Sequence, residues 1–454
     1  MTAEAGKLSP PVAEVQGAMS QYGLLLATIA LIVIVALPHQ AGLPVAGQNM
    51  LGILVFSVII WMTEAVSYPV SAVLITALTA FLLGFSPELA DPNKVMGTSK
   101  GLSIALSGFS NTAWALVGGA LFLAAAMTHT GLDKRIALVV LSKVGAKTSR
   151  VLIGVIVVGF LLSFVVPSTT ARVSCMVPIV MGIIIAFGVP LKSRFAAVLM
   201  IAVAQADSLW NIGIKTAAAQ NMIAVSFIEK QLGVNISWLD WFIAAAPFSA
   251  IMSVVLYFVL MKMMPPETRE IAGGQEIVAK ALAELGPMRL NEKKLMFISL
   301  TLLFFWATEK VIHPFDTSTT TITAIALMFL PRIGVMNWKQ AQGAIPWGTL
   351  VLFGIGISLG SALLTTKAAP WLATWISAAF GLQFASSLVI LATLAAFLII
   401  IHLGFASATG LAAAMIPIII SLLQSVKTPG IDVVGMTMIL QYVVSFGAHG
   451  AHSY

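Results

Sequence analysis

Side chains with hydroxyl groups interrupt two long apolar stretches of the chain. The stretch 151–188 is broken by Pro167-Ser168-Thr169-Thr170, and the stretch 384–425 is broken by Ser407-Ala408-Thr409. Such a tip can offer hydroxyl donors together with the unpaired N–H groups that begin the following half-helix, and both bind anions. The same residues could instead serve only as helix caps. We interpret the two tips as candidate anion-binding sites.

Two cationic side chains lie inside apolar sequence after the first tip. Arg172 carries a guanidinium, which can hold a carboxylate through two parallel hydrogen bonds. Lys215 lies in a polar interruption of the apolar run 195–225, where its ammonium could take the place of a coupling cation. Either side chain could instead form a structural ion pair with Asp207, which belongs to the same interruption. Both alternatives stay open on the sequence alone.

Two further residues complete the candidate site. Asn221 lies in the same interruption as Lys215, and His402 precedes the second tip, where a lone histidine could equally be structural. The predicted substrate ligands are Ser168, Thr169, Thr170, Arg172, Lys215, Asn221, His402, Ser407 and Thr409. If sodium binds, its expected ligands are Ser168, Thr169, Asn211 and Ser407. No other metal and no cofactor is predicted.

Catalysis is not predicted from this sequence. An intramembrane hydrolase would need a nucleophile with its base, or a metal site, and the chain has no H-E-x-x-H or G-x-S-x-G string. Glu64 and Glu309, at the ends of apolar runs, are interpreted as interface or scaffold charges. We therefore expect a protein that binds its substrate without transforming it.

The composition indicates that lipid is the main solvent of the chain. Of 454 residues, 59% are hydrophobic and only 9% are charged, whereas a soluble domain carries about a quarter charged residues. Long apolar runs favour helices over the alternating strands of a barrel. The formal charge of +7 is typical of the basic loops that orient membrane proteins, so we do not predict nucleic-acid binding. The predicted fold class is an all-α polytopic membrane protein.

Nine apolar runs are long enough to cross about 30 Å of hydrocarbon. They lie near 21–37, 48–66, 68–87, 112–130, 195–225, 241–263, 294–312, 318–335 and 346–364. The arms beside the two tips are shorter, which suits re-entrant hairpins, with two tilted full spans as the alternative. Basic residues, among them Lys7 and Arg269, concentrate in segments that would be inside if the N-terminus is cytoplasmic.

The chain contains an internal repeat. Trp61-Met62-Thr63-Glu64 recurs as Trp306-Ala307-Thr308-Glu309, and the tips recur as Ser168 with Ser407 and Thr170 with Thr409. An odd number of predicted crossings separates the two copies, so the second enters the membrane from the opposite side. Inverted repeats with broken helices near the midplane are the architecture of secondary transporters.

The repeat divides the chain into four predicted segments. They are an N-terminal segment with the first transmembrane helix (1–47), a first repeat (48–264), a cytoplasmic linker (265–293) and a second repeat (294–454). Less sequence follows the second tip than follows the first. We therefore expect a second repeat that is truncated at its C-terminus.

These strings resemble the divalent-anion/sodium symporter family of carboxylate transporters. Residues 167–172 are similar to the P-S-N-T-A-R string of its citrate/succinate, tartrate/succinate and 2-oxoglutarate/malate exchangers, and residues 402–407 resemble their H-x-x-F-A-S string. That family carries Ser-Asn-Thr at both tips, where the asparagine helps to bind carboxylate and sodium. Here Thr169 and Ala408 replace it, which argues against sodium coupling.

The resemblance implies a secondary transporter of succinate, malate, 2-oxoglutarate, tartrate or citrate in a bacterial inner membrane. It also implies an elevator-like movement against a dimeric scaffold, and hence a homodimer. Fixed cations at Arg172 and Lys215 would leave an empty site charged, which is costly in hydrocarbon, so antiport is expected. Sodium-coupled dicarboxylate symport and transport of an inorganic anion such as sulfate are the alternatives.

Overall fold

The structure is a computed structural model that describes residues 18–145, 147–186, 188, 190, 192–267, 274–405 and 407–446. Lys7, Arg269 and the chain end 447–454, all used above, lie outside the described residues. The described part of the chain forms twenty α-helices and three short 3-10 turns, and its only β pairings are two isolated bridges. The predicted all-α class is therefore confirmed.

Eleven helices precede the linker. They are α1 (Ala18–Ala36), α2 (Val45–Thr63), α3 (Tyr68–Gly84), α4 (Thr98–Leu106), α5 (Thr112–Thr130), α6 (Leu132–Val144), α7 (Thr148–Val165), α8 (Thr169–Ala186), α9 (Arg194–Gly213), α10 (Ala219–Leu232) and α11 (Trp238–Met263).

The linker contains α12 (Gly274–Glu284), which packs against α6 and α8. The remaining described helices are α13 (Leu290–Thr308), α14 (Thr317–Phe329), α15 (Trp338–Ala344), α16 (Trp347–Thr365), α17 (Ala368–Ala379), α18 (Ser387–His402), α19 (Ala408–Ser425) and α20 (Val433–Phe446).

Seven of the described helices are long and apolar enough to cross a membrane: α2, α5, α7, α9, α11, α16 and α19. Shorter apolar helices, including α1, α3, α14 and α18, accompany them. Each of the nine predicted apolar runs overlaps at least one helix. The chain is thus a multi-pass membrane protein, built from helices because only intra-helical hydrogen bonds satisfy its backbone in lipid.

Two helical hairpins carry the predicted tips. In the first, α7 ends at Val165, where Pro167 removes a backbone donor and stops the helix, and α8 starts at Thr169. In the second, Ser407 is the N-cap of α19. An 18-residue arm such as α7 or α19 rises about 27 Å, close to the thickness of the hydrocarbon. Helix length therefore does not separate re-entrant hairpins from tilted spans, and the re-entrant course stays a prediction.

The helix order of α2–α9 recurs in α13–α20, and a tryptophan bond recurs with it. Trp61 Nε1 donates to Ser71 Oγ at 3.0 Å, and Trp306 Nε1 donates to Thr321 Oγ1 at 3.1 Å. The halves pack crosswise, because α3 contacts α16 while α14 contacts α5. These paired contacts agree with a repeat, whereas the four segment boundaries predicted above stay predictions.

Candidate functional site

The first tip offers hydroxyls of different exposure. The Oγ of Ser168 accepts from the N–H of Ala171 at 3.3 Å, so this side chain caps α8. Thr169 is half-buried and its Oγ1 donates to Asn211 Oδ1 at 3.1 Å, whereas Thr170 is exposed. The tip is thus capped and joined to α9, with Ser168 and Thr169 still partly accessible.

The second tip has the same cap and a different neighbour. The Oγ of Ser407 accepts from the N–H of Gly410 at 3.2 Å, Thr409 is half-buried, and Ala408 is buried. A side chain at Gly410 would begin 3.3 Å from the ring of Trp61, so this tip packs closely on the end of α2. In both tips the capping alternative is observed, and a capping hydroxyl keeps lone pairs and a proton that a ligand can use.

Arg172 has no solvent exposure and uses all three guanidinium nitrogens inside the protein. Nε donates to Asp207 Oδ1 at 2.6 Å, and one terminal nitrogen donates to the carbonyls of Val166 (2.7 Å) and Ala217 (3.2 Å). The other donates to Asn211 Oδ1 at 2.5 Å. The structural pair with Asp207, which the sequence left open, is therefore present, and the predicted bidentate fork toward a ligand is not presented in this conformation.

The Arg172 contacts explain how the tip is held. Val166 ends the first arm, Asp207 and Asn211 lie on α9, and Ala217 lies in the 3-10 turn between α9 and α10. A buried guanidinium is tolerated only when its donors are matched. The side chain thus joins Val166 of the hairpin to three acceptors of the broken helix, Asp207, Asn211 and Ala217.

Lys215 lies in the break between α9 and α10 and is 5% exposed. Its Nζ donates to the carbonyl of Ile236 at 2.6 Å. The alternative pair of Lys215 with Asp207 was wrong, because Asp207 is engaged by Arg172 and no ion pair involves Lys215 among the described residues.

Glu309 is buried. A buried carboxylate is tolerated only when its oxygens accept hydrogen bonds. Its Oε2 accepts from Thr317 Oγ1 at 2.6 Å and from the N–H of Trp238 at 3.4 Å. Glu64, its counterpart in the first half, is exposed and accepts from the Tyr68 hydroxyl at 3.2 Å. The two carboxylates therefore occupy different environments.

Asn221 connects the break to the second half of the chain. Its Nδ2 donates to the carbonyls of Asn211 (2.6 Å) and Ile214 (3.3 Å), and its Oδ1 accepts from Ser445 Oγ at 2.9 Å. Gln441 Nε2 in turn donates to Ser445 Oγ at 3.0 Å. Sequence reasoning did not identify Ser445 and Gln441, although polar side chains in an apolar helix were a usable signal.

His402 is buried at the end of α18. It lines a cavity of about 740 Å³ together with Gln205, Phe248 and Tyr442. The lining of that cavity includes neither tip and not Arg172.

The structure brings together Thr169, Arg172, Asn211 and Asn221, and adds Asp207 to them. Lys215 adjoins this cluster in the break but faces Ile236, and no hydrogen bond among the described residues joins the second tip to the cluster. Asp207 Oδ2 and Asn211 Nδ2 are buried without a hydrogen-bond partner in the described part of the chain.

Residues 18–453 match the family model of the sodium:sulfate symporter transmembrane region. A protein of Cupriavidus necator named only "Membrane protein" is 56% identical over 427 residues, covering 94% of this chain and 83% of that relative. The sodium-dependent dicarboxylate transporter SdcS of Staphylococcus saprophyticus is 26% identical, covering 89% of this chain and 78% of the relative.

A relative named as a malate transporter and one solved structure are also similar to this chain. The putative malate transporter YflS of Bacillus subtilis is 26% identical, covering 78% of this chain and 72% of the relative. The crystal structure of the Alcanivorax borkumensis YdaH transporter matches with a TM-score of 0.51 at 13% identity, over 84% of this chain and 85% of that chain. At this identity the structural likeness shows the fold alone.

Proposed function

We propose that this chain, which belongs to the divalent-anion/sodium symporter family with its sodium:sulfate symporter transmembrane region, carries small di- or tricarboxylates across a bacterial inner membrane. The substrate class is that of succinate, malate, 2-oxoglutarate, tartrate and citrate. The protein acts as a secondary transporter rather than an enzyme. Relatives named as dicarboxylate and malate transporters support this class.

The observation that carries the proposal is the pair of tips. Each has a capping serine just before an 18-residue helix and a half-buried threonine in its first turn: Ser168 and Thr169 at α8, Ser407 and Thr409 at α19. Hydroxyl donors and the unpaired N–H groups of a helix start favour a carboxylate, and two tips suit the two ends of a dicarboxylate. Thr170, in the first tip, and His402, at the end of α18, also remain proposed ligands.

Arg172 supports transport without sodium. Oxygen atoms from a carboxylate, an amide and two backbone carbonyls converge on its guanidinium, from Asp207, Asn211, Val166 and Ala217. Oxygens of these kinds are the ligands that hard cations prefer. Here the Arg172 guanidinium already lies between these oxygens, and Asn211, an expected sodium ligand, accepts a hydrogen bond from it.

The expectation that Arg172 and Lys215 are both uncompensated cations is wrong for Arg172, because Asp207 neutralises it. Lys215 has no carboxylate within ion-pair distance among the described residues. Moving such a buried ammonium through hydrocarbon without an anion is costly. We therefore still propose antiport, now supported by Lys215 alone. Sodium-coupled symport is the second candidate mechanism, because the relative SdcS is named a sodium-dependent dicarboxylate transporter.

Orientation and assembly complete the proposal. We place the N-terminus in the cytoplasm because basic residues then concentrate on the inner side. We also propose a homodimer, with the hairpins moving against a scaffold that contains α2, α3, α13 and α14.

Thermal unfolding of the purified protein tests the substrate class. We expect succinate, malate, tartrate or citrate to raise the midpoint, because a ligand that binds only the folded state stabilises it. Sulfate and phosphate at equal ionic strength are the controls. Stabilisation by sulfate alone would replace the carboxylate proposal by inorganic-anion transport.

A further inference from the structure

The segment 235–238, which leads from α10 into α11, is held from two sides. On one side lies the break after α9, where Lys215 Nζ donates to the carbonyl of Ile236 at 2.6 Å. From the same segment, Trp238 Nε1 donates to Thr216 Oγ1 in the break at 3.2 Å. The other side is the end of α13. The segment therefore connects the break to a helix of the second half.

Two residues that follow α13, Glu309 and Lys310, make the contacts on that other side, and we call them the clamp. Glu309 Oε2 accepts from the N–H of Trp238 at 3.4 Å, and Lys310 Nζ donates to the carbonyl of Asn235 at 2.7 Å. Trp238 is the first residue of α11, so its N–H has no acceptor within its own helix. The carboxylate of Glu309 supplies that acceptor.

The Lys215 ammonium is poorly matched where it lies. It is 5% exposed, and its only hydrogen bond among the described residues goes to the neutral carbonyl of Ile236, although an ammonium has three donors. Glu309 lies beyond ion-pair distance of it and accepts from Thr317 and Trp238 instead. Within the described chain the ammonium therefore lacks a carboxylate partner.

A substrate carboxylate can supply that partner. The break adjoins the first tip, since Arg172 near the start of α8 donates to the carbonyl of Ala217, which lies in the same short turn as Lys215. A carboxylate adds the attraction of opposite charges to a hydrogen bond, so it is a stronger acceptor for an ammonium than a carbonyl is. We therefore expect a dicarboxylate at this tip to draw the ammonium away from Ile236.

We propose that a bound dicarboxylate loosens the contact between α11 and α13 by taking Lys215 away from Ile236; this inference rests on the proposed function. In the empty protein, Lys215 holds the segment 235–238 where it reaches the clamp. Once Lys215 turns to the substrate, the segment loses the shortest of its four hydrogen bonds, and the clamp contacts weaken. Because α13 belongs to the proposed scaffold, the hairpin then moves against the scaffold more easily in the loaded protein.

Such a release favours antiport over net transport. Net transport requires the empty protein to change conformation, and the clamp stabilises the empty protein in the conformation described here. A ligand shifts a conformational equilibrium only by binding one state better than the other. The substrate binds better when Lys215 is free of Ile236, which is also the state in which the clamp is weak. One side chain thus couples substrate binding to movement.

Hydrogen exchange of the wild-type chain tests the inference. The purified full chain is exchanged in detergent with and without succinate or citrate, at concentrations that raise its unfolding midpoint, and the peptide containing Trp238 is followed by mass spectrometry. We expect the Trp238 amide to exchange about tenfold faster on binding, because its hydrogen bond to a charged acceptor is lost. A ligand that only stabilised the folded state would slow hydrogen exchange instead.

Two variants loosen the clamp and leave the Lys215 ammonium in place. Glu309→Ala and Lys310→Met should show fast hydrogen exchange at Trp238 without ligand. They should also move labelled succinate several-fold faster than the wild-type protein into empty liposomes, or out of loaded liposomes into substrate-free buffer. Lys310 is exposed, so replacing it disturbs no core, and Lys310→Arg should restore antiport. Glu64→Ala, which removes the exposed counterpart of Glu309 in the first repeat, is the matched control.

The outcomes separate the two proposals. If succinate, malate, tartrate and citrate all fail to raise the unfolding midpoint, the proposed function is overturned. Unchanged or slower hydrogen exchange at Trp238 on binding overturns only this inference, whether or not Glu309→Ala folds. Clamp variants that perform antiport but no net transport in either direction would also overturn it, and would leave the charge of Lys215 as the cause of antiport.

Discussion

Arg172 and Asp207 form an ion pair with a nitrogen–oxygen distance of 2.6 Å, and the two side chains are 0% and 3% exposed. The pair joins α8 of the first hairpin to α9, the first half of the broken helix. The attraction between the two side chains offsets the free-energy cost of burying each charge alone. The geometry of the candidate site therefore depends on both residues together.

Replacing one member of this pair should lower the free energy of unfolding more than replacing both members. Arg172→Leu or Asp207→Leu should each cost about 3–5 kcal/mol, because each leaves a buried charge unpaired. The double variant should recover a large part of that loss. Thermal unfolding in detergent measures all four proteins as a cycle. Strictly additive losses would show that the two side chains act independently.

Thr169→Val should weaken dicarboxylate binding about tenfold, because the Thr169 hydroxyl, which donates to Asn211 in this conformation, can no longer turn to the ligand, and a hydrogen bond to a charged acceptor is worth about 1.5 kcal/mol or more. Thr169→Ser should keep most of the affinity. Thr76→Val is the matched control, since Thr76 donates only to the carbonyl of Ala72 in α3. Equal affinities of the Thr169→Val and control proteins would remove Thr169 from the site.

Lys215→Met should weaken dianion binding and allow net uptake into liposomes that contain no internal dicarboxylate. The reason is that the empty site then lacks its uncompensated cation. Labelled succinate uptake, with and without internal succinate and with and without a sodium gradient, provides the measurement. Lys230→Met, at the end of α10, is the control. Sodium-driven uptake into empty liposomes by the wild-type protein would contradict antiport.

Gly108→Ala should strongly destabilise the fold. A methyl group there would collide with the carbonyl of Gly354 and lie 2.6 Å from the N–H nitrogen of Ser358, and backbone atoms cannot yield as a flexible side chain does. Gly182→Ala on α8 meets nothing within 4 Å and should stabilise slightly, by about 0.5–1 kcal/mol. Unfolding midpoints of the two variants should move in opposite directions. A shared direction would reject the steric argument.

The membrane spans could be predicted because long apolar runs indicate helices. The repeated strings around Trp61 and Trp306 indicated the internal repeat. The short helices α4, α6, α12, α15 and α17 were missed, since 7 to 13 residues are too few to cross the hydrocarbon and the prediction searched for long apolar runs. Their positions depend on packing against the longer helices.

The sequence predicted which residues belong to the candidate site, but only partly which residues they contact. Asp207 was weighed as a partner for either cation, and sequence distance could not decide that it binds Arg172 rather than Lys215. The direction of Lys215 toward Ile236 depends on the turn after α10, which the sequence does not reveal. The link from Asn221 to Ser445 spans 224 residues, beyond the reach of local patterns.

The crosswise packing of the two halves has a consequence for how the protein is made. The N–H of Gly108 donates to Ser358 Oγ at 2.9 Å across 250 residues of sequence, so this contact waits roughly 10–50 s for the ribosome to supply its partner. During that interval the surfaces of α3 and α5 that later cover α16 and α14 face lipid or an insertion factor. Assembly of the core is therefore a late event in biogenesis, and slowing synthesis between the halves should lengthen the period in which quality-control proteases can act.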